Sequence, residues 1–550
     1  MSNEYTEHVT RGLAEAGIEV KLIEERSFPG ERWLVVYVPV DALIVAQSLA
    51  GELESGLNLA SEGNDIPFSL VFRPYAEEAP AVAGTERRGR LSGSKIDQLI
   101  QLLEARSRTS DALPSLKYVE DPRASLAAVA ASRHQFIYGR RGVGKTAILL
   151  EAKRLAERNG DVTIWLNAHT FRSLDAPTAY LRLADAVFNA LLKHGGTSQA
   201  EAFSRLKDEA ERIRNGLEAK IMIDMDVNRM LPGQNAALRS VLREGLMRLN
   251  IYIDDFYFFP ITDQPNLLDY SFGLLRDCDG WLKIASIERL TRTFEPSSRA
   301  GLEIPHDASK IDLDRTLEDP AAAQDFLEHM LSNYTIAAGV RAPSSIAKRQ
   351  ALGRLVLASG GVPRDYLNLF ASSIVQARRS RANAKEVGRE DVAVAAGGAA
   401  RGKKRDLEQD VASDTASALL YALDKISKKV KGDGFAYFRV DLAEKSEKGY
   451  ELLGQLADLR FVHLIQATLS DQHKGGVKYE AYILDLSEYS DVRVKRGLQV
   501  LELEDGQWYG RLAGTVGTGK KLTGSQLRDY LRLAPLVSVK DLLNAESATE

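Results

Sequence analysis

The stretch GRRGVGKT, residues 139–146, constrains the fold of this 550-residue chain more than any other feature of the sequence. Gly139, Gly144, Lys145 and Thr146 match the pattern G-x-x-x-x-G-K-[ST], in which backbone N–H groups surround phosphates. The apolar run QFIY precedes the stretch, and TAILLEAKRLAERNG follows it with apolar residues at helical spacing. A phosphate loop leaves a buried strand and enters a helix N-terminus, and both flanks comply. The sequence therefore predicts an α/β fold built around a P-loop core.

Each loop position has a predicted role at a bound nucleotide. Gly142 and Gly144 allow the backbone to approach phosphate closely, Lys145 reaches the β- and γ-phosphates, and Thr146 holds Mg²⁺ through its hydroxyl. The predicted cofactors are therefore ATP and Mg²⁺. The predicted nucleotide-binding residues of the loop are Gly139, Arg140, Arg141, Gly142, Val143, Gly144, Lys145, Thr146 and Ala147.

A second glycine-rich stretch, GTVGTGKK at 514–521, has the same glycine and lysine spacing. It ends in Lys521, where the pattern requires a hydroxyl for the metal, and no buried strand of adequate length precedes it. We predict that this stretch is a basic surface loop.

In LNIYIDDFYFF, residues 249–259, the apolar run LNIYI ends in two acids, Asp254 and Asp255. Paired acids at the end of a buried strand are costly unless they meet solvent, metal or hydrogen-bond donors. A phosphate loop also needs a carboxylate from a second strand to complete the metal shell. We predict that Asp254 binds Mg²⁺ through water and that Asp255 polarises the attacking water.

These residues together resemble the AAA+ ATPases, and within them the origin-recognition-type branch and the related STAND signalling ATPases. LKIASIERL at 282–290 looks like the strand that carries the sensor-1 polar residue, with Ser286 as the best match and Glu288 as the alternative. ASGGVPRDYLNLF at 358–370 resembles the lid motif whose arginine, here Arg364, meets the γ-phosphate. GREDVAVAA at 388–396 is similar to the lid helix that follows. The resemblance spans about 124–486 and implies an ATPase.

Two departures from that pattern bear on activity. Most active members place Glu where Asp255 stands, which implies slow hydrolysis because Asp is shorter by one methylene. No motif selects an arginine finger among Arg289, Arg292 and Arg299, and each could equally be surface charge. Arg364 also has an alternative interpretation, in which it is a surface arginine of a helical bundle that forms no lid.

The order of apolar and amphipathic segments divides the chain. Apolar runs at 136–138, 162–167, 250–253, 282–286 and 310–313 predict buried strands, which alternate with helices as in a mostly parallel sheet. A strand is also predicted at 18–24. Helix–strand–helix–strand–strand after residue 405 is a winged-helix order. The predicted boundaries are 1–76 for a small α/β domain, 77–94 for a linker, 95–320 for the AAA+ P-loop core, 321–404 for a helical lid, 405–495 for a winged-helix domain and 496–550 for a C-terminal extension.

Composition excludes several classes of protein. Cys278 is the only cysteine, which rules out internal disulfides and thiolate metal sites and favours a reducing cytoplasm. No apolar run approaches the ~18 residues of a membrane span, so no membrane partner is expected. The net charge of −4 argues against a globally basic nucleic-acid coat but leaves room for a local basic patch.

Such a patch is predicted at 378–405, where nine basic residues accompany three acidic ones. The candidate recognition helix, SEKGYELLGQLADLR at 446–460, mixes both signs and is poorly suited to the major groove. Lys474 and Lys478 in the wing are the better candidates for contacts with DNA.

Two functional hypotheses follow. The first is an ATP-driven switch of origin-recognition type that assembles on ATP, as a homo-oligomer or with a partner protein, and engages DNA or a DNA-bound partner until slow hydrolysis resets it. The second is a STAND-like signalling or scaffold protein that binds proteins and uses the nucleotide structurally.

Overall fold

A computed structural model describes residues 2–28, 31–39, 42–60, 68–75, 90–105, 119, 123, 125–195, 201–218, 227–410, 413–490, 497–514 and 519–543. The chain divides into two compact units, Met1–Arg87 and Arg88–Glu550. Most of the predicted linker at 77–94 lies outside the described residues.

The first unit is a three-stranded sheet with helices. Strand β2 pairs antiparallel with β1 and parallel with β3. Leu34, Val36 and Val38 alternate along β2 and are buried with apolar residues of the helices, since successive strand residues face opposite sides of the sheet. The elements are α1 (Ser2–Glu15), β1 (Leu22–Phe28), β2 (Glu31–Pro39), α2 (Leu43–Ser48), α3 (Ala50–Ala60) and β3 (Phe68–Tyr75).

The second unit begins with the predicted core. Its elements are α4 (Ser94–Ala105), α5 (Ser125–Val129), β4 (Gln135–Tyr138), α6 (Lys145–Arg158), β5 (Val162–Asn167), α7 (Ala176–His194), α8 (Glu201–Glu218), α9 (Val227–Glu244), β6 (Leu249–Asp254), α10 (Gln264–Leu275), β7 (Gly280–Ser286), β8 (Phe294–Glu295), β9 (Ala300–Gly301) and β10 (Ser309–Asp312). Five of these strands form one sheet in the order β10-β4-β7-β6-β5, with every pair parallel. The predicted P-loop α/β core is therefore confirmed.

This sheet is the scaffold of the site. All six residues of β6 and all four of β4 are buried, which is typical of parallel strands covered by helices on both faces. Because the strands are parallel, their carboxyl ends meet at one edge, and the loop after β4 lies there with the acids that end β6.

Four helices follow, and we call them the lid segment: α11 (Pro320–Ala337), α12 (Arg349–Ser359), α13 (Pro363–Ser380) and α14 (Arg389–Asp410). The sharp connection between α12 and α13 uses two glycines in the left-handed region, Gly360 and Gly361. Pro363 then begins α13, where its missing N–H costs nothing.

The next segment, which we call the 413–489 segment, has the predicted order of elements. They are α15 (Ser413–Gly432), β11 (Tyr437–Asp441), α16 (Lys448–Asp458), β12 (Val462–Ser470), β13 (Lys478–Leu484) and α17 (Leu486–Tyr489). The three strands form an antiparallel sheet in the order β11-β13-β12, and residues 471–477 join β12 to β13.

A C-terminal extension, residues 497–543, completes the described chain with β14 (Gln499–Glu504), β15 (Gln507–Leu512), β16 (Lys520–Lys521) and α18 (Gly524–Arg532). Lys520 and Lys521 of the second glycine-rich stretch are exposed on β16, at the edge of this small sheet, while residues 515–518 lie outside the described residues. Nowhere in the described chain is a helix both long and apolar enough to cross a membrane.

Candidate nucleotide-binding site

The backbone of the loop takes conformations that require glycine. Gly142 and Gly144 have φ of 89° and 108°, which side chains with a Cβ rarely adopt. A Cβ on Gly142 would also lie 2.9 Å from Cβ of Arg364, at the start of α13. The loop is therefore shaped both by its own backbone and by the close approach of the lid segment.

Lys145 lies at the centre of the loop and is buried. Its Nζ donates to the carbonyl oxygens of Gly139 at 2.7 Å and Arg140 at 3.1 Å. Burial lowers the pKa of this amine, while the carboxylates of Asp255 and Asp314 oppose that shift. The loop thus holds one buried cation beside the N-terminus of α6, which suits an anionic ligand.

Thr146 and Asp254 meet directly, although their elements are 108 residues apart in sequence. The Thr146 hydroxyl donates to Oδ2 of Asp254 at 2.8 Å, and the backbone N–H of Asp255 donates to the other oxygen at 3.0 Å. Asp254 is 3% exposed, and burial together with the charge of Asp255 raises its pKa to about 6. A hydroxyl and a carboxylate are oxygen donors that fit Mg²⁺, which keeps waters and phosphate oxygens as its other ligands.

Asp255 ends the acidic pair in a left-handed conformation, with φ of 54°. Asp and Asn are the non-glycine residues that accept this region most readily. The neighbouring Tyr257 is partly buried, and burial together with the Asp255 charge raises the pKa of its hydroxyl to about 12. Arg141 places its guanidinium 5.5 Å from the centre of the Tyr257 ring. This corner therefore joins a carboxylate, a phenol and a guanidinium beside the loop.

Arg140 supports the loop from outside. Its backbone N–H and its Nε both donate to Oδ1 of Asp314, at 2.9 and 3.1 Å. Its Nη2 reaches the carbonyl oxygen of Arg315 at 2.8 Å and that of Gly360 at 3.3 Å. The side chain predicted to bind nucleotide thus ties the loop to the end of β10 and to the lid segment.

Arg364, in the first turn of α13, lies beside the loop. Its backbone N–H donates to the carbonyl oxygen of Gly142 at 3.3 Å, and its side chain is exposed. The first turn of α13 is therefore in direct contact with the loop.

Ser286 ends β7, the strand paired with β4, and is fully buried. Its hydroxyl lies 2.5 Å from that of Thr291. The alternative, Glu288, pairs with Lys310 at 2.5 Å. Both residues are thus held by neighbours at the edge of the sheet where the loop lies.

The three candidate arginine fingers differ in their surroundings. Arg289 forms an ion pair with Asp458 and donates to the carbonyl oxygen of Glu451 at 3.2 Å, both on α16. Arg292 pairs with Glu295. Arg299 is exposed, and it forms no ion pair with any residue that the structure describes. Arg299 thus differs from Arg289 and Arg292, whose side chains are both engaged by acids of the described chain.

No protein-family model matches the chain, and no curated protein does. Among solved structures the chain is similar to Cdc6p from Pyrobaculum aerophilum, at 14% identity over 70% of this chain and 97% of that one, with a TM-score of 0.35. It is also similar to the Aeropyrum pernix Orc1 protein, solved in complex with DNA, at 16% identity over 68% and 90%, with a TM-score of 0.34. A RuvB variant from Thermotoga maritima matches at 12% identity over 49% and 64%, with a TM-score of 0.25.

The first two of these proteins are of the origin-recognition type that the sequence motifs resemble. At these TM-scores the likenesses carry no argument about this chain. The order of the parallel strands and the loop after β4 show the P-loop fold.

Sequence reasoning missed three residues that touch the loop or its lid: Asp314, Asp365 and Arg460. Asp314 had a usable signal, because it closely follows β10, a strand that pairs with β4. Asp365 and Arg460 had none, because their meeting depends on how the 413–489 segment packs against the lid segment.

Replacing Asp254 with Asn should stabilise the metal-free, nucleotide-free protein at neutral pH. A pKa of about 6, against an ordinary ~3.9, corresponds to about 3 kcal/mol of unfavourable ionisation. Asn can keep both contacts, because its Oδ1 can accept from the Asp255 N–H and its Nδ2 can donate to the Thr146 hydroxyl oxygen. We expect a higher denaturation midpoint for Asp254→Asn at pH 7.5.

The pH dependence of this stability difference follows from proton binding to Asp254. Between about pH 4 and 6 the folded state keeps a proton on Asp254 that the unfolded state has released, so this group stabilises the fold only at low pH. The advantage of the variant should therefore shrink as the pH falls below 6. An advantage that is equal at pH 4.5 and 7.5 would contradict the buried charge as its cause.

Proposed function

We propose that this chain is an ATP-binding, slowly hydrolysing AAA+ switch of the origin-recognition type. The observation that carries the proposal is the convergence of three features at one edge of a single parallel sheet. They are the loop with its buried Lys145, the Thr146–Asp254 pair, and the first turn of α13 with Arg364. We assign 95–320 as the AAA+ core, 321–404 as the lid and 405–495 as a winged-helix domain.

The proposed roles follow from position. Backbone N–H groups of the loop and Lys145 bind the phosphates, and the exposed Arg364 approaches their terminal end from the lid. Mg²⁺, held by Thr146 and Asp254, supplies positive charge at the phosphates when bound. Ser286 lies one strand away from the loop and completes the polar edge of the site.

Slow hydrolysis follows from Asp255. A carboxylate beside the phosphates can accept a hydrogen bond from the attacking water, which contributes to catalysis through orientation and proton acceptance. Its short side chain and its fixed left-handed backbone limit how far it reaches. The site is thus suited to holding a conformational state for some time, in the manner of a switch.

The switch needs a mechanical connection, and buried contacts supply one. A Cβ on Gly360, at the sharp connection of the lid segment, would lie 2.2 Å from Nδ1 of His463 on β12. Lys404 on α14 pairs with Glu488 on α17 at 2.5 Å. A rotation of the lid segment would therefore move the 413–489 segment with it.

The structure favours the wing over α16 as a DNA contact. The backbone of α16 is covered at Gly449, where a Cβ would lie 1.9 Å from the carbonyl oxygen of Val539 in the C-terminal extension. Its other end is held by Arg289 of the core. Lys474 and Lys478 at the wing are exposed, so they can meet a phosphate backbone.

The predicted basic patch at 378–405 needs a correction. Five of its nine cations are in ion pairs within the chain: Arg378, Arg381, Arg389, Lys403 and Lys404. Two of these pairs, those of Arg381 and Lys403, lie within the lid segment, and the other three hold it to its neighbours, so charge counting overstated the patch. The four that are exposed and form no ion pair with described residues are Arg379, Lys385, Arg401 and Arg405.

We expect duplex DNA to bind more tightly with ATP than with ADP, with little sequence preference. Phosphate contacts should dominate, so affinity should fall steeply with salt. On a plot of the logarithm of the association constant against the logarithm of the salt concentration, each contact contributes about 0.9 to the slope. Replacing Arg379, Lys385, Arg401 and Arg405 with Ala should reduce that slope by up to about 3.6, and Lys474→Ala with Lys478→Ala by up to about 1.8. Fluorescence anisotropy at several salt concentrations in each nucleotide state measures this.

A charge-matched control comes from α8. Replacing Arg205, Lys207, Arg212 and Arg214 with Ala removes four exposed cations of the same helix-surface type elsewhere in the core. This variant should keep the wild-type slope. An equal loss of slope in both quadruple variants would show that only the net charge of the protein matters, not the position of the patch. If the chain does not bind DNA at low salt with ATP, the DNA-binding role is wrong.

The alternative function is a STAND-like signalling or scaffold ATPase that binds proteins. The observation that favours it is the covered α16, which leaves the 413–489 segment without a free recognition helix. Turnover that DNA stimulates supports the switch. One retained nucleotide per chain without turnover, and no ATP-dependent assembly by light scattering, supports the scaffold.

A further inference from the structure

Arg460 joins the 413–489 segment to the loop. It follows the end of α16 in a left-handed conformation, with φ of 64°, and its side chain is 17% exposed. Nη1 donates to Oδ1 of Asp365 at 2.7 Å and lies 3.5 Å from the carbonyl oxygen of Arg141. Its Nε is buried and has no hydrogen-bond partner among the described residues.

Arg460 adds a second contact between the loop and the first turn of α13, next to one that the lid segment makes itself. Residues 141 and 142 are consecutive in the loop, and residues 364 and 365 are consecutive in the first turn of α13. Gly142 accepts from the N–H of Arg364, and Arg460 connects the carbonyl oxygen of Arg141 to the carboxylate of Asp365. The loop tip and the first turn of α13 are thus joined at two adjacent points, and a third segment supplies one of them.

The backbone and charge at Arg460 are both unfavourable taken alone. A non-glycine residue in the left-handed region is strained and persists only where the surroundings enforce it, often at functional sites. Burial lowers the pKa of the guanidinium, and the nearby positive charges of Arg140 and Arg364 add to that effect, whereas Asp365 opposes it. Three arginines are therefore close together beside the loop, and the bridge to Asp365 holds Arg460 in place.

We propose that Arg460 is a positioning residue for the nucleotide site, which holds the loop tip and the first turn of α13 in register so that Arg364 faces the terminal phosphate. This inference rests on the proposed function. A diphosphate lacks the group that Arg364 meets, so Arg460 should govern the preference for triphosphate over diphosphate more than the affinity for either. By linkage, the same contact should make the position of the 413–489 segment depend on which nucleotide is bound.

The test measures binding of ADP and of a non-hydrolysable ATP analogue, each with Mg²⁺, by calorimetry on the full chain. Arg460→Gly removes the side chain while suiting the left-handed backbone, so it separates the contact from backbone strain. We expect the analogue to bind about tenfold more weakly and ADP to change by less than about threefold, within the usual range of coupling between sites. Arg460→Lys keeps the charge without the planar fork and should restore only part of the preference.

Lys403→Ala is the matched control, because Lys403 pairs with the same carboxylate of Asp365 without contacting the loop. This variant should keep the wild-type preference for the analogue within about twofold. Equal losses in Arg460→Gly and Lys403→Ala would show that only the packing of Asp365 matters and would overturn the proposal. So would an unchanged preference in Arg460→Gly. If the wild-type chain binds neither nucleotide, the proposed function itself fails instead.

Discussion

Lys145→Ala should abolish measurable nucleotide binding. The buried ammonium lies inside the loop, 2.7 Å from the carbonyl oxygen of Gly139, where it is the cation placed to meet two phosphates. Hydrogen bonds to charged groups contribute about 1.5–3 kcal/mol each. Losing two of them corresponds to a loss of affinity of about a hundredfold to ten-thousandfold. Calorimetry with a non-hydrolysable ATP analogue and Mg²⁺ measures this effect.

The second glycine-rich stretch supplies the control. Lys520 occupies the same place in GTVGTGKK as Lys145 does in the loop, but it is exposed on β16. Lys520→Ala should bind the analogue as the wild-type chain does. Thermal unfolding of both variants checks that each is folded, because Lys145→Ala removes one donor from each of two carbonyl oxygens in the loop. Wild-type affinity in a folded Lys145→Ala protein would refute the site.

Asp255→Asn should keep nucleotide binding and lower turnover by about a hundredfold or more, since general base catalysis typically contributes 10²–10⁴. The amide cannot accept a proton from water, but it has the same shape as the carboxylate. Asn also accepts the left-handed backbone at φ of 54° as readily as Asp does, so the fold should be undisturbed. Phosphate release under saturating ATP measures turnover, and calorimetry measures binding.

Asp277→Asn is the matched control for that change. Asp277 is exposed and also has a left-handed backbone, with φ of 58°, but it precedes β7 and so lies toward the amino ends of the strands. Its replacement should leave turnover unchanged. If Asp255→Asn turns over ATP at the wild-type rate, another group activates the water and the assignment of Asp255 is wrong.

The sequence predicted the core accurately because local patterns determine it. The buried strands expected at 136–138, 162–167, 250–253 and 282–286 all lie within strands of the central sheet. Short apolar runs followed by glycine or paired acids leave few alternatives in an α/β fold. Boundaries were less certain where a strand is amphipathic. The strand expected at 18–24 is found at Leu22–Phe28, because only its pairing with β2 sets the register.

The partner surface was predicted less well. A charge count cannot distinguish a cation that faces solvent from one that pairs with a distant carboxylate. Lys404 and Glu488 are 84 residues apart in sequence, and Arg378 and Asp97 are 281 apart, yet each pair is in contact. Long side chains on a helix often serve such contacts between segments, so the exposed basic surface is smaller than the sequence suggested.

The sequence by itself determined the nucleotide loop, the acidic pair and the arginine at the start of α13, because each is a short pattern with a fixed local geometry. Glycine positions, strand ends and a helix N-terminus place these groups without reference to the rest of the chain. Only the tertiary structure decided which further groups meet them. Arg460, Asp365 and Arg141 come together because the 413–489 segment packs against the lid segment, and burial of that interface is a sum over many side chains that no local pattern encodes.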